Sequence, residues 1–139
     1  MRRLVIDTNL FIDWLNKGRY GEVFFQRDAV KYLAAVVIME LYAGARSRRD
    51  RRILDNVTGT FAKAHRILVP TDSLYKEAGH ILSELGGKQS GATRQLAALT
   101  NDVLIALSAR SIGATVLTRN GADFLAIQQI RPFRLMVMA

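Results

Sequence analysis

Cysteine is absent from the 139 residues of the chain. The chain therefore has no disulfide, no thiolate zinc site and no cysteine nucleophile, a composition that fits a reducing compartment. Proline and glycine are scarce, at 2 and 10 residues, which excludes collagen-like and low-complexity architectures. Long hydrophobic runs are missing as well. The longest, Leu33 to Met39, falls far short of the ~18 residues read as a membrane span. Met1-Arg2-Arg3 begins like a secretory signal, but the apolar run that follows stops at Asp7. The expectation is a cytoplasmic protein with no membrane association. Acids are also in short supply, 12 against 20 Lys and Arg, for a net charge of +8 and a pI near 10.4. That balance attracts polyanions and is the footprint of a nucleic-acid binder, although a merely basic solvated surface produces the same sum.

What is present is a core. Half of the residues are hydrophobic, and the length suits one domain over 1–139. Leu4-Val5-Ile6 reads as a buried strand, and Leu10, Phe11, Trp14 and Leu15 recur at helical spacing up to Gly18. Val23-Phe24-Phe25 suggests a short helix. Val30 to Val37 reads as a strand running into a helix with Ile38, Glu40 and Leu41. Ser47 with Asp50 resembles a capping box before the stripe Ile53, Leu54, Val57 and Phe61. Ile67-Leu68-Val69 is a third strand, followed by a helix to Gly86-Gly87. Asn101-Asp102 is expected to open a helix over Val103 to Ile112. Thr115 to Thr118 is a fourth strand, a turn at Asn120-Gly121 leads into a short helix, and Arg134 to Met138 reads as an edge strand. Alternating strands and helices predict an α/β domain with a mainly parallel sheet of four to five strands flanked by helices.

Four acids fall at informative places. Asp7 follows the first strand, Glu40 lies in an apolar helix, Asp102 opens a helix, and Asp123 comes shortly after the fourth strand. Ligands of parallel α/β sheets bind at the carboxyl ends of strands, where Asp7 and Asp123 are placed. Each has a duller explanation: Asp7 and Asp102 as helix caps, Asp123 as a turn residue, Glu40 as a solvated position. Jointly they mean more. Carboxylates 4 Å apart repel by ~4 kcal/mol per pair at an effective dielectric of 20, so several share a pocket only with protons or cations. All-oxygen donors suit Mg²⁺ or Mn²⁺, which acidify bound water and stabilise a phosphoryl transition state.

Four segments resemble the signatures of PIN-domain nucleases, and more narrowly of VapC-type toxins. They are Leu4 to Asp13, Met39 to Gly44, Asn101 to Ala106, and Leu117 to Phe124, in the family's order. The resemblance implies a single PIN-like domain and a Mg²⁺- or Mn²⁺-dependent endoribonuclease. It makes Asp7, Glu40, Asp102 and Asp123 the catalytic acids, with Asp7 and Asp102 as direct metal ligands. Asn9, Thr118 and Asn120 become supporting groups; Arg119, beside the proposed site, is a candidate for binding substrate by holding the scissile phosphate. It further implies an RNA substrate, a cognate antitoxin and a homodimer. A housekeeping PIN nuclease and a non-catalytic nucleic-acid- or partner-binding domain are the alternatives. Two departures are visible: Ala35 to Met39 carries no hydroxyl to cap the helix that holds Glu40, and the stretch Gly86 to Thr100 is longer than the usual connection into the Asn-Asp helix.

Other chemistries fail on spacing. Gly86-Gly87-Lys88-Gln89 is not a Walker loop. Position 9 is Asn where a haloacid-dehalogenase-type phosphatase needs a second Asp. His65 and His80 have no zinc-spaced companions. Asp13 is expected to be a solvated helix residue. Five arginines between Arg46 and Arg52 suit phosphate contacts or simply a solvated helix face. Leu10, Phe11, Trp14, Val23, Phe24 and Phe25 suit either the core or a dimer or antitoxin surface.

Overall fold

The computed structural model describes residues 1–86 and 93–139. Its centre is a five-stranded parallel sheet in the order β3-β2-β1-β4-β5. The strands are β1 (Arg2–Ile6), β2 (Ala29–Ala34), β3 (Ile67–Leu68), β4 (Thr115–Thr118) and β5 (Arg134–Val137). Parallel neighbours need crossover connections. These are supplied by α1 (Thr8–Lys17) and α2 (Gly21–Phe25), then α3 (Ala35–Gly44) and α4 (Arg48–Lys63), then α5 (Asp72–Gly86) and α6 (Thr93–Ser111), and finally α7 (Ala122–Ile130). Leu4, Val5 and Ile6 of the central strand are buried, as are Val116 and Leu117 beside them, which is why both strands read as unbroken apolar runs.

β1 pairs with β2 on one side and β4 on the other, Val5 lying opposite Tyr32 and Val116. The chain moves outward from β1 to β3 and returns to β4. The connections of β1 and β4 therefore diverge at their carboxyl ends and open a crevice there, the place where such sheets bind ligands. Asp7 and Thr118 stand at that point.

Local chemistry explains most boundaries. Gly18 takes the left-handed conformation at φ 67° and closes α1 by donating to the carbonyls of Asp13 and Trp14. Ser47 Oγ accepts the Asp50 N–H at 3.0 Å, so the expected cap of α4 forms. Thr71 does the same for Leu74 at 3.2 Å at the start of α5. That helix ends at Gly86; Gly87 lies outside the described residues. Two boundaries differ from expectation. The second strand stops at Ala34, and Ala35 to Val37 already belong to α3, whose first residue has no side-chain cap in front of it. The longer correction concerns α6. It begins at Thr93, so Asn101 and Asp102 lie in mid-helix and cap nothing.

Gly121 precedes α7 at a tight approach. A Cβ there would stand 2.6 Å from Val137 Cγ2 and 3.4 Å from Cγ1. Rotating a β-branched Val moves one methyl out and the other in. Gly121→Ala is expected to lower stability by about 1–2 kcal/mol through overpacking. Val137→Ala in the same chain should recover most of that loss, a result readable by denaturant melts. Equal midpoints for Gly121→Ala and the unaltered protein would contradict the contact.

Candidate active site

Asp7 is the N-cap of α1 and is buried. Its backbone N–H donates to the Leu117 carbonyl at 2.8 Å, which ties the end of β1 to β4. Its Oδ1 accepts the Thr8 N–H at 2.8 Å, and its Oδ2 accepts the Thr118 hydroxyl at 2.8 Å. The capping explanation thus accounts for one oxygen only, and the other reaches across to the neighbouring strand. Burial pushes the Asp7 carboxyl up, the Thr118 and Thr8 hydrogen bonds oppose that, and the charge of Glu40 adds to it.

Glu40, in the second turn of α3, is half-buried, and its Oε1 accepts the Thr8 hydroxyl at 2.7 Å. Thr8 therefore links two of the four acids, donating its N–H to one and its O–H to the other. It carries no acid or base of its own, which is why it did not stand out in the sequence; its place directly after Asp7 was the available signal.

Asp102 lies partly buried in α6. Its carboxyl is pushed up to about 8, first by burial and then by the charges of Asp7, Asp123 and Glu40. Asp123, exposed in the first turn of α7, completes the group. Four acids drawn from α1, α3, α6 and α7 thus repel one another at the β1/β4 crevice. Ion pairs among the described residues join Arg119 to Asp13 and Arg131 to Glu77, so none of the four acids is paired with a protein cation there.

Among the described residues, no three His, Cys, Asp or Glu side chains stand close enough to form a finished coordination set. Asp7 and Glu40 are held by hydrogen bonds from Thr8 and Thr118, and Asp102 feels the charges of the other three acids. The donor set itself, oxygen only, anionic and short of cations, fits a hard divalent ion such as Mg²⁺ or Mn²⁺.

The supporting residues form one chain of hydrogen bonds. Asn9 Nδ2 donates to Thr118 Oγ1 at 3.4 Å, and its Oδ1 accepts the Arg119 N–H at 3.3 Å. The Asn120 N–H donates to Thr118 Oγ1 at 3.1 Å. Thr118 accepts both donors and gives its own proton to Asp7 at 2.8 Å, with the Asn120 carbonyl a second, longer acceptor at 3.2 Å.

Asp13 corrects an expectation. It is not solvated but 5% exposed, with its Oδ2 3.1 Å from Arg119 Nε. No well-aligned hydrogen bond reaches that oxygen, so the contact is a charge pairing. Asp13 lies one turn after Asn9, and the same face of α1 holds the segment 118–120 through both residues.

Elsewhere, Arg46, Arg48, Arg49, Arg51 and Arg52 are all exposed. The aromatic group divides. Phe11 is buried, Trp14 and Phe24 are partly buried and stack at 4.1 Å, and Phe25 is 73% exposed. Among the described residues, no helix is long and apolar enough to cross a membrane.

Comparison with known proteins agrees with this geometry. The family model for the PIN domain matches residues 4–129. No curated protein matches the sequence. Among solved structures, a chain of the DNA-bound VapBC complex from Salmonella typhimurium is 25% identical with a TM-score of 0.66, covering 99% of this chain and 98% of that one. A chain of VapBC2 from Rickettsia felis bound to a promoter DNA fragment is 20% identical with a TM-score of 0.69, covering 99% of each. A chain of FitAcB from Neisseria gonorrhoeae is 21% identical with a TM-score of 0.67, covering 96% of each. With the family model spanning nearly the whole sequence and all four acids at one sheet edge, the chain belongs to the PIN-domain family.

Proposed function

We propose that this PIN domain is a divalent-metal-dependent endoribonuclease and the toxin of a VapBC-type pair, working in the cytoplasm as a homodimer and held inactive by an antitoxin. The observation that carries the reading is the convergence of Asp7, Glu40, Asp102 and Asp123 at the carboxyl edge of β1 and β4, where their mutual repulsion calls for a cation. The likeness to VapBC and FitAcB complexes supports the antitoxin partner. The net charge of +8 and the exposed arginines of α4 support RNA as the substrate.

Asp7 and Asp102 would hold the ion, Mg²⁺ or Mn²⁺. Bound there, it would supply charge stabilisation at the phosphate and a more acidic water for attack. Thr118 and Thr8 fix the Asp7 carboxylate so that both of its oxygens keep their orientation. Glu40, steadied by Thr8, would accept the proton of the attacking water, and Asp123 would add negative charge on the solvent side. Asn9 and Asn120 keep the Thr118 hydroxyl aimed at Asp7.

The test is cleavage of mixed structured RNAs by protein freed of any partner, in Mg²⁺, in Mn²⁺ and in excess chelator, with Asp7→Asn alongside. Cleavage that requires metal and disappears in Asp7→Asn is expected. RNA binding without cleavage, indifferent to both chelator and Asp7→Asn, would identify a binding domain instead.

A further inference from the structure

The geometry points to a substrate-positioning pair at the rim of the acidic site: Asp13, buried in α1, holds Arg119 as a fixed cation for a phosphate of the RNA backbone. This rests on the ribonuclease reading above. The Asp13 carboxylate anchors Arg119 Nε at 3.1 Å. Arg119 directly follows Thr118, whose hydroxyl donates to Asp7, so the cation borders the acidic site. The Arg119 side chain is 48% exposed and so remains open to a ligand on its other side. Its backbone is fixed too, since its N–H donates to Asn9.

Stability is a poor explanation for this pair. Asp13 is buried, yet its Oδ2 lacks a well-aligned hydrogen bond. Buried pairs of imperfect geometry contribute little net stability, and an apolar or neutral residue often serves as well. What the pair does provide is order in a long side chain that would otherwise lose rotamer freedom on binding RNA. A planar guanidinium fixed in advance suits a phosphate better than a free one. The two residues are also unequal. Removing Asp13 leaves a half-exposed arginine that water solvates, whereas removing Arg119 leaves a buried carboxylate without its partner.

That asymmetry makes the test. In an Asp7→Asn background, which does not cut, binding of a mixed-sequence single-stranded RNA is titrated against salt. Arg119→Gln is expected to weaken binding about tenfold, as for one charge-assisted phosphate contact. It should also flatten the slope of log K against log salt by about 0.7, the loss of one phosphate contact to a single strand. Asp13→Asn should weaken binding several-fold, and the double variant should bind no worse than Arg119→Gln alone, since Asp13 acts only through Arg119. In the cutting protein both changes should appear in KM more than in kcat. Thermal melts separate this from a folding role, because Asp13→Asn should melt with the unaltered protein while Arg119→Gln melts lower and the double variant recovers. RNA binding untouched by Asp13→Asn, additive losses in the double variant, or an unchanged salt slope in Arg119→Gln would overturn the proposal. Failure of the Asp7→Asn parent to bind RNA at any salt would overturn the ribonuclease reading itself, and with it this one, before any rim variant is compared.

Discussion

Asp102→Asn is expected to make the metal-free protein more stable while abolishing RNA cleavage. The first effect follows from an acid whose carboxyl is pushed from 3.8 up to about 8 by burial and by Asp7, Asp123 and Glu40. At neutral pH the folded chain keeps a proton on Asp102 that the unfolded chain releases. At about 1.4 kcal/mol per pH unit, that difference reaches roughly 4 kcal/mol at pH 7. An Asn side chain has the same shape and no charge to desolvate, so a gain of about 2–4 kcal/mol is expected in urea melts in chelator. The gain should shrink toward zero near pH 4, where the aspartate is protonated in both states. The second effect runs the other way. Losing one of the two proposed direct ligands removes charge stabilisation worth several kcal/mol at the transition state, so cleavage should fall roughly a thousandfold or more. Stability and activity moving in opposite directions is the signature of a site kept under strain for function. An Asp102→Asn protein that is less stable than the unaltered one in chelator would show that the carboxylate packs as an ordinary structural group.

The residues that made this site legible are those whose chemistry is local. Leu4 to Ile6 and Thr115 to Thr118 are apolar or β-branched runs bounded by polar turns, and both are strands of the buried centre. Gly18 marks the end of α1 because only a residue free of a Cβ takes φ 67° cheaply. The edge strand read over Arg134 to Met138 forms over Arg134–Val137. The four acids could be singled out because each stands at an element end or in an apolar stretch. The misreadings have two causes: local runs that carry no boundary signal, and a contact that joins distant positions. Asn101-Asp102 before an apolar run looks like a cap, but α6 is already formed from Thr93 by good helix formers such as Leu96, Ala97 and Ala98, so the polar pair is carried in mid-helix. Asp13 looks like a surface residue of an amphipathic helix. It is buried and paired with Arg119, more than a hundred positions later, and nothing near it in sequence signals that partner. The boundary between β2 and α3 was unreadable because Ala34 offers no cap and the apolar run continues through it.

In chelator, the stability of the unaltered protein is expected to fall as pH rises from about 4 to 8 and to level off above. The sign follows from proton counting. Burial and neighbouring acids raise the Asp102 carboxyl above its ordinary value of 3.8, and Asp7 is raised in the same direction. Between the unfolded and folded values the native state therefore binds more protons than the unfolded one, and the slope of unfolding free energy against pH is negative. A drop of about 3 kcal/mol between pH 5 and 8 would move the melting midpoint by roughly 10 °C, at about 3–4 °C per kcal/mol for a chain of this size. A divalent cation should reverse the trend. Bound at a hundred times its Kd, it would restore about 2.7 kcal/mol, and it competes best at high pH, where no proton occupies Asp102. Melts in Mg²⁺ and Mn²⁺ at pH 8, against chelator and against Asp102→Asn, measure this directly. The cation should stabilise the unaltered protein by several degrees and the variant hardly at all. Equal stabilisation of both would mean that the ion binds elsewhere on the chain. A flat pH profile in chelator would mean that the four carboxylates do not feel one another as their positions require.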